Sequence, residues 1–342
     1  MSSARLAVLQ QPEVFVVEQH PKRAPGPGEV EVRVHACGVC GSDLKMWSGR
    51  HAFLRPPLVM GHELVGVIER AGAGVSADVG RAVVVFPPVG CGSCFHCAND
   101  QPQLCAAMEF FGGQRPGGLA DFVVVPAENV VPITDGVPER QQVLVEPLSV
   151  AVHALNRGGL RADDAAVVIG AGAIGLFTAL VARARGAGPI VVSEVSAERR
   201  ARAQRLGFAV VDPAARPLEE AIADAIRPEG ADVTFECVGS SATINAALAA
   251  TRKGGRAVVV GNAPVRVDLD GLALQRGDRD LVGVLMYDRS DFIEAMALLA
   301  DGLLAGLADD QLTRRFSLEH VADAFLATSR GDLDVMRAIV EP

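Results

Sequence analysis

The sequence has little of what marks several classes of protein. Its seven cysteines are too few and too unevenly placed for the disulfide framework of a small secreted domain. It contains no internal repeat and no low-complexity tract. Because 49% of its residues are hydrophobic and 21% are charged, a disordered or collagen-like chain is excluded. A length of 342 residues favours two domains and allows a large hydrophobic core.

Positive charge is also scarce. The 32 basic residues are outnumbered by 41 acidic ones, which leaves a net charge of -9. The electrostatic field of such a protein repels nucleic acids and anionic membrane surfaces, so we expect neither as a partner. Any binding of phosphate must therefore depend on a local feature of the chain.

Long apolar runs are few. Near the N-terminus only residues 6–9 form an apolar run, which is too short for the core of a secretory signal. Residues 165–182 carry no charge and approach the length of about 20 residues that a membrane span needs. Three glycines interrupt this run, which also fits a buried strand followed by a buried helix. We expect no membrane segment and a cytoplasmic protein with reduced thiols.

Two patterns of hydrophobicity divide the chain near residue 150. Before it, short β-like runs such as the alternating residues 29–35 are bounded by glycine and proline. After it, strand-like runs alternate with helical stretches, which predicts a parallel sheet covered by helices. The strand-like runs are 166–169, 190–192, 233–236 and 257–260, and the helical stretches include 176–185 and 197–206. A last strand is predicted at 281–287, with helices at 292–304 and 318–329.

Four cysteines, Cys91, Cys94, Cys97 and Cys105, form a C-x2-C-x2-C-x7-C cluster. Thiolates this close in sequence can converge tetrahedrally on one soft cation, and zinc is the usual occupant of a four-cysteine site. An iron–sulfur cluster is the alternative, but the bacterial ferredoxin motif has a shorter last spacing and a proline after its fourth cysteine. The cluster therefore predicts a closed, structural zinc site that holds a lobe of loop.

A glycine-rich turn follows the strand-like run 166–169. Its G-x-G-x-x-G motif consists of Gly170, Gly172 and Gly175, with Ala171, Ala173 and Ile174 between them. A turn between strand and helix is the context that dinucleotide binding requires, and the helix N-terminus can hold phosphate even on an acidic protein. Glu194, at the end of the next strand, is placed to bind the adenosine ribose, which favours NAD. Arg199 and Arg200 lie close enough to keep NADP open, and a glycine turn chosen only for packing is the other alternative.

Further motifs occur in the order and roughly the spacing seen in the zinc-dependent medium-chain alcohol and polyol dehydrogenases. From about residue 5 to 340 the chain resembles this family, and within it the sorbitol, butanediol and threonine dehydrogenase branch. The residues that carry the resemblance are 38–43 (GVCGSD), 61–63 (GHE), 91–105, 117–120 (GGLA), 146–148 (EPL) and the turn at Gly170.

The resemblance implies an α/β fold with two domains. A GroES-like, β-rich catalytic domain would span residues 1–149 and resume at 287–342. A doubly wound Rossmann domain that binds NAD would occupy residues 150–286, where Val238 and Gly261 would also contact the cofactor. Relatives pair through the nucleotide domain, so the resemblance implies a homodimer or homotetramer.

The resemblance also implies a catalytic zinc, which makes two zinc ions per chain. Cys40 and His62 would bind it, together with a carboxylate from either Glu63 or Glu146. Cys37 and Cys237 are expected to be structural thiols.

In the family, the proton that leaves the alcohol passes through a hydroxyl, here Ser42, and often onward to a histidine. This sequence has Lys45 in place of that histidine. A lysine with its ordinary pKa is already protonated and accepts a proton poorly, unless burial or the zinc lowers that pKa. Lys45 is therefore also a candidate for binding a polar substrate or the cofactor.

We therefore expect a zinc-dependent oxidoreductase that transfers hydride from a secondary alcohol of a polyol, diol, cyclitol or amino alcohol to NAD. The alternatives are reduction of an aldehyde or ketone with NAD(P)H and a non-catalytic, nucleotide-binding relative. The polar substrate preference depends on Asp43, Lys45, Arg50, His51 and Glu109. Trp47, Phe110 and Phe111 are candidates for apolar walls of the substrate site, and each could equally be an ordinary packing residue.

Overall fold

The computed structural model describes residues 3–51, 53–331 and 335–342. They form two compact units, a first unit of residues 1–146 and 288–342 and a second unit of residues 147–287. The strands are β1 (Ser3–Gln11), β2 (Val14–Pro21), β3 (Glu29–Val39), β4 (Leu58–Val59), β5 (Glu63–Ala71), β6 (Ala82–Val85), β7 (Pro88–Val89), β8 (Glu109–Phe110), β9 (Phe122–Pro126), β10 (Val130–Pro132), β11 (Ala166–Ile169), β12 (Ile190–Ser193), β13 (Ala209–Val211), β14 (Ala231–Glu236), β15 (Thr251–Val259), β16 (Asp280–Gly283), β17 (Thr313–Ser317) and β18 (Arg337–Glu341). The α-helices are α1 (Gly41–Trp47), α2 (Val145–Gly158), α3 (Ala173–Ala184), α4 (Ala197–Arg205), α5 (Leu218–Ala225), α6 (Ser241–Ala250), α7 (Gly271–Arg276), α8 (Arg289–Ala300), α9 (Asp309–Leu312) and α10 (Val321–Arg330).

The first unit is built around β3. Seven strands form one sheet in the order β10-β6-β5-β3-β18-β17, with β9 paired to β3, and a second sheet has the order β2-β1-β4. Most residues of β3 are buried, and its valines belong to the hydrophobic core of this unit. The antiparallel registers place Gly38 of β3 opposite Glu63 of β5 and Ile339 of β18. Three segments far apart in sequence therefore meet at one end of β3.

The second unit contains a six-stranded parallel sheet. Its order, β13-β12-β11-β14-β15-β16, is that of doubly wound dinucleotide-binding sheets, with the topological switch point between β11 and β14. All four residues of β11 are buried, as expected for a central parallel strand covered on both faces. The predicted α/β fold class, with a β-rich part and a doubly wound part, is confirmed.

The predicted strand at 166–169 is confirmed to the residue, whereas the other predicted elements of this half of the chain begin or end elsewhere by one or more residues, and three of them show why. The last strand stops at Gly283 instead of 287, and Met286 beyond it has a positive φ of 51° that a strand cannot accommodate. Helix α8 stops at Ala300 instead of 304, because Gly302 adopts a φ of 83°. The last helix, α10, begins at Val321 after a 3-10 turn at Leu318–His320.

The uncharged run 165–182 folds as β11 followed by most of α3. In the part of the chain that the structure describes, no helix has both the length and the apolar character needed to cross a membrane.

Candidate active site and nucleotide site

Cys40 lies at the junction between β3 and α1. It is the N-cap residue of α1, with extended backbone angles of φ −89° and ψ 157°. The backbone N–H of Cys40 donates a hydrogen bond of 2.9 Å to Oδ2 of Asp43, which is fully buried. Asp43 therefore holds the turn that presents the Cys40 thiol.

His62 and Glu63 lie at the start of β5, opposite the end of β3. The ligand atoms of Cys40, His62 and Glu63 all lie within 4.8 Å of one another. Gly61, which precedes them, has a φ of 100° and packs against the Cys37 sulfur so closely that a Cβ would overlap it. Cys37 thus supports the backbone next to the cluster, while its own thiol is fully buried.

Asp43 also orients the imidazole of His62. Nδ1 of His62 lies 3.3 Å from Oδ1 of Asp43, which leaves Nε2 available for a metal ion. Burial alone would lower the pKa of His62, but the neighbouring Asp43 carboxylate and Cys40 thiol raise that pKa well above 6.5. The ring of Phe110 meets the imidazole edge-on, with 6.2 Å between ring centroids. An anionic, half-enclosed donor set of this kind suits a dication.

The carboxylate of Glu63 is fully buried, and within the described part of the chain neither oxygen accepts a hydrogen bond of good geometry. Oε2 occupies the space beside Gly38, where any Cβ would overlap it. Oε1 lies 3.0 Å from Nη2 of Arg337, a buried guanidinium on β18. Burial raises the pKa of Glu63, although Arg337 opposes the rise. A buried carboxylate that lies beside a thiol and an imidazole, with a guanidinium at one of its oxygens, fits a zinc ion.

The other sequence-predicted residues of this site lie close by on α1 and α2. Ser42 and Lys45 are half-buried on α1, directly after Cys40. Glu146 is 4% exposed in the first turn of α2, outside the group formed by Cys40, His62 and Glu63.

The four cysteines of the lobe converge as their spacing predicts. The sulfur atoms of Cys91, Cys94, Cys97 and Cys105 lie within 4.8 Å of one another, and all four thiols are free. Hydrogen bonds from the backbone N–H and hydroxyl of Ser93 lower the pKa of Cys91 to about 6. Burial raises the pKa of Cys97 to about 11, a rise that a coordinated cation reverses. Four clustered thiols with one already acidic suit a structural zinc.

In the second unit, the glycine-rich turn joins β11 to α3. Gly170 has a φ of 99°, and a Cβ on Gly175 would overlap the Gly170 carbonyl oxygen. Gly172 is the N-cap of α3 and has open space where a Cβ would be, while Ala173 and Ile174 begin the helix. The turn is therefore compact on its inner side and open on its outer side, as the approach of a pyrophosphate requires.

Glu194 directly follows β12 and is buried. Its Oε2 accepts a hydrogen bond of 2.8 Å from the N–H of Ala171, and its Oε1 accepts one of 2.9 Å from the N–H of Ser196. Arg200 pairs with Asp212 at 2.8 Å, whereas Arg199 is exposed on α4. Glu194 thus anchors the glycine-rich turn and lies at the position where an acidic residue binds the adenosine ribose.

The loops after β14 and β15 complete this edge of the sheet. Val238 is 53% exposed, and Gly261 lies so close to the backbone of Gly239 that a Cβ would overlap it. The buried carboxylate of Glu236 accepts hydrogen bonds from the N–H groups of Val238 (2.8 Å) and Gly239 (2.7 Å). The predicted cofactor residues in the segments after β11, β12, β14 and β15 therefore line one edge of the sheet.

Two family models match the chain. The alcohol dehydrogenase GroES-like domain matches residues 26–135, and the zinc-binding dehydrogenase model matches residues 173–301. L-Idonate 5-dehydrogenase of Vitis vinifera is 35% identical over 320 residues, covering 90% of this chain and 86% of the relative. Sorbitol dehydrogenase of Homo sapiens is 32% identical over 333 residues, covering 95% and 92%. This chain belongs to the zinc-dependent medium-chain alcohol and polyol dehydrogenases.

Solved structures of other dehydrogenases agree with this family assignment. A zinc-binding dehydrogenase from Sinorhizobium meliloti 1021, bound to NADP, matches with a TM-score of 0.90 and 28% identity, covering 100% of both chains. A 2R,3R-butanediol dehydrogenase from Bacillus subtilis matches with a TM-score of 0.91 and 28% identity, covering 99% and 100%. The protein is thus an alcohol or polyol dehydrogenase that works with zinc and a nicotinamide dinucleotide on a small-molecule alcohol.

One side chain of the dehydrogenase lies elsewhere than the sequence suggests, and two others follow the second of their two alternatives. Asp43 was expected among the polar groups that select the substrate, but it is buried beneath Cys40 and His62 as their support. Trp47 and Phe111 belong to the hydrophobic core, where Trp47 packs on Phe325, which agrees with packing and not with a wall of the substrate site. Large aromatic rings next to a metal motif are often buried for packing alone.

Three supporting residues of the dehydrogenase were not predicted. Arg337 had no local signal, because its partner Glu63 is brought to it only by the pairing of β18, β3 and β5. The role of Gly38 depends on the same register. Glu236 was visible as an acidic residue at the end of an apolar strand, a pattern that could have indicated its support of the following loop.

Proposed function

We propose that the dehydrogenase oxidises a secondary alcohol of a polyhydroxylated substrate, with NAD as the hydride acceptor. The cluster of Cys40, His62 and Glu63 carries this proposal, because three protein ligands leave a fourth position on zinc for an alcohol oxygen. Relatives named for L-idonate and sorbitol support a polyol-like substrate.

Cys40, His62 and Glu63 are the proposed zinc ligands, and the four-cysteine lobe is the proposed structural site. When bound, the zinc ion would acidify the alcohol and the nicotinamide would accept the hydride. Asp43 lies beside Nδ1 of His62, so Nε2 is the nitrogen proposed to bind the ion, and Arg337 balances the charge of Glu63.

The hydroxyl of Ser42 is proposed to take the proton that leaves the alcohol, since it lies on α1 two residues after Cys40. Lys45 lies one helical turn further and is proposed to contact the polar substrate. Glu146 is proposed as an acidic neighbour that adds to the negative potential around Arg337, whose pKa it helps to raise against the effect of burial.

We assign catalysis to residues 1–149 with 287–342 and NAD binding to residues 150–286. The support for NAD is Glu194, since a carboxylate at the ribose repels the 2′-phosphate of NADP. The residues proposed to contact NAD are Gly170, Gly172, Ala173, Ile174, Gly175, Glu194, Arg199, Val238 and Gly261.

A homodimer or homotetramer that pairs through the second unit is also proposed. Within the described part of this unit, β16 is an edge strand whose Leu281 is 38% exposed, and Leu285 just beyond it is 51% exposed. Exposed apolar side chains along an unpaired strand edge favour association with another copy. The cytoplasm is the proposed location, because both zinc sites need reduced thiols. Light scattering on the purified protein tests the oligomer.

The function is tested by offering NAD or NADP with a panel of polyols, diols, cyclitols and amino alcohols, and following the absorbance of the reduced nicotinamide. We expect turnover of a polyhydroxylated substrate with a lower KM for NAD than for NADP. Turnover of long aliphatic or aromatic alcohols alone would refute the polyol proposal, and a lower KM for NADP would refute the role of Glu194.

A further inference from the structure

The segment that follows α1 is strongly basic. Between Asp43 and Glu63 the sequence has no acidic residue, although acidic residues outnumber basic ones in the whole protein. The basic side chains between these two acidic residues are Lys45 on α1, then Arg50, His51 and Arg55, and finally His62, which is a proposed zinc ligand. The first four of them form the basic cluster.

The two arginines of the segment differ from most arginines of the first unit. Nε of Arg50 donates to the Ser48 hydroxyl at 2.9 Å, and Nη1 of Arg55 donates to the backbone carbonyls of His51 and Leu54. Both guanidinium groups are exposed, and neither has a carboxylate within ion-pair distance among the described residues. Most other arginines of the described part of this unit form an ion pair with a carboxylate, as Arg23 does with Glu29 at 2.8 Å. The guanidinium groups of Arg50 and Arg55 therefore have N–H donors left that could bind an anion from solution.

His51 adds a further donor to this cluster. Its Nδ1 accepts hydrogen bonds from the backbone N–H groups of Leu54 (3.1 Å) and Phe53 (3.3 Å), so the ring proton is on Nε2. Burial, and then the positive charges of Arg55 and Lys45, lower the pKa of His51. The imidazole of His51 is therefore close to Arg55 and Lys45, and its Nε2–H is a further hydrogen-bond donor beside these two cations.

The first residue of the basic cluster, Lys45, lies on the same short helix that Cys40 caps. At a rise of 1.5 Å per residue the two positions are about 7.5 Å apart along the helix axis. A short sugar-derived chain spans a distance of this order. A substrate of this length that binds at the zinc site can thus reach Lys45, and the charges of Lys45 and Arg55 both act on His51.

We propose that the substrate is an anionic polyol, whose carboxylate or phosphate group is bound by Arg50, His51, Arg55 and Lys45. Guanidinium groups match the planar or tetrahedral oxygens of both anions and bind them with paired hydrogen bonds. In a protein of net charge -9, only such a local cluster attracts an anion. In the reaction the secondary alcohol loses a hydride to NAD and a proton to the protein and solvent, which gives a ketone, and the anionic group is unchanged. This inference rests on the proposed function.

The inference is tested with three substrates of matched configuration, namely an alditol, the corresponding aldonate and the alditol phosphate. With zinc-loaded enzyme we expect kcat/KM for one of the anions to exceed that for the alditol at least tenfold. The advantage should shrink as salt is added, because ionic strength screens exposed charges. The better of the two anions identifies the group that the cluster binds.

The outcomes separate this inference from the proposed function. If the neutral alditol is turned over as well as both anions, the inference is wrong and the proposed function stands. If none of the three substrates, and no other polyol, is oxidised with NAD or NADP, the proposed function falls and the inference falls with it.

Variants of the cluster provide a second test. Arg50→Gln and Arg55→Gln should each lower the ratio of kcat/KM for the anion to that for the alditol about tenfold. Arg23→Gln, which removes an exposed arginine paired with Glu29, is the matched control and should leave this ratio unchanged. A raised KM for NAD with an unchanged ratio would assign the cluster to the cofactor and overturn the inference. Thermal melting checks that each variant is folded.

Discussion

At the scale of single residues, the structure depends on a buried charge and the group that balances it. Glu63 and Arg337 are both buried, with 3.0 Å between their charged atoms. Removing one partner of a buried ion pair costs far more than the pair contributes, because it leaves the other charge uncompensated. The pair therefore fixes the position of the Glu63 carboxylate, and both members are needed.

Replacing Arg337 by methionine should lower the free energy of unfolding by about 3–5 kcal/mol, since Glu63 loses its counter-charge. Zinc affinity should fall roughly 10- to 100-fold, the usual cost of losing a group that supports a metal ligand. Urea unfolding and competition with a chromophoric chelator measure the two effects. Arg314→Met, on the exposed face of β17, is the matched control and should change stability by less than about 0.5 kcal/mol.

The two cysteines around the end of β3 should respond differently to substitution. Cys40→Ala should abolish turnover, because a proposed zinc ligand is lost. Cys37→Ala removes only a buried sulfur that packs against Gly61, so most activity should remain, with a loss of about 1–2 kcal/mol of stability. Steady-state rates and metal content measure the contrast. Equal loss of activity in both variants would contradict the assignment of Cys40.

At the scale of elements, the glycine-rich turn combines two separate requirements. Gly175 has no room for a side chain because the Gly170 carbonyl lies against it, whereas Gly172 has open space around it. Gly175 allows α3 to pack closely on β11, and Gly172 leaves the turn accessible to a ligand.

Gly175→Ala should therefore destabilise the second unit and lower the melting temperature, even without NAD. Gly172→Ala should leave the melting temperature nearly unchanged but weaken NAD binding about tenfold or more, because a methyl group blocks the approach of the pyrophosphate. Differential scanning calorimetry and NAD titration by fluorescence separate the two. If Gly172→Ala bound NAD normally, the turn would not be the phosphate site.

Elements and motifs that depend on neighbouring residues were predictable from the sequence. Strand β11 is a short, fully apolar run bounded by polar residues and glycine, so its limits were predicted correctly. The two-residue strands β4, β7 and β8 give no periodic signal and were not predicted. The arrangement around Glu63 could not be derived, because the space beside Gly38 and the charge of Arg337 reach it only through strand register.

At the scale of the whole molecule, ion pairs between carboxylates and basic side chains make the free energy of unfolding depend on pH. Glu31 is flanked by Arg70 at 2.5 Å and Lys22 at 3.0 Å. Burial would raise the pKa of Glu31, but the hydrogen bonds from Arg70 and Lys22 outweigh it, so that pKa lies below 4.5. A pKa depressed by folding adds stability above the unfolded value, and this stability is lost as the pH falls through the folded value.

Glu31→Gln should consequently lower the melting temperature at pH 7. The difference between wild type and variant should shrink as the pH is lowered below about 4.5, because the Glu31 carboxylate is then protonated in the unfolded chain and, at still lower pH, in the folded protein as well. Melting curves recorded from pH 7 to pH 3 measure this convergence. Glu69→Gln, on an exposed pair with Arg33, should show little effect at any pH.

The two donor clusters should give two zinc ions per chain. Atomic emission on the purified protein measures this ratio. We expect a mild chelator to remove activity by emptying the site at Cys40, while the four-thiolate lobe retains its ion longer. One ion per chain would show that one of the two clusters is not a zinc site.

The pairing of β18 with β3 makes the timing of metal capture depend on the order of synthesis. Cys40, His62 and Glu63 leave the ribosome early, whereas Arg337 is made almost three hundred residues later. Until β18 docks beside β3, the Glu63 carboxylate has no guanidinium to hold it in the protein interior. A nascent chain that has reached only residue 287 therefore contains the three proposed zinc ligands but lacks β18, whose Arg337 pairs with the Glu63 carboxylate. Stable zinc uptake at this site would then mark the completion of the first unit, after the second unit has been synthesised.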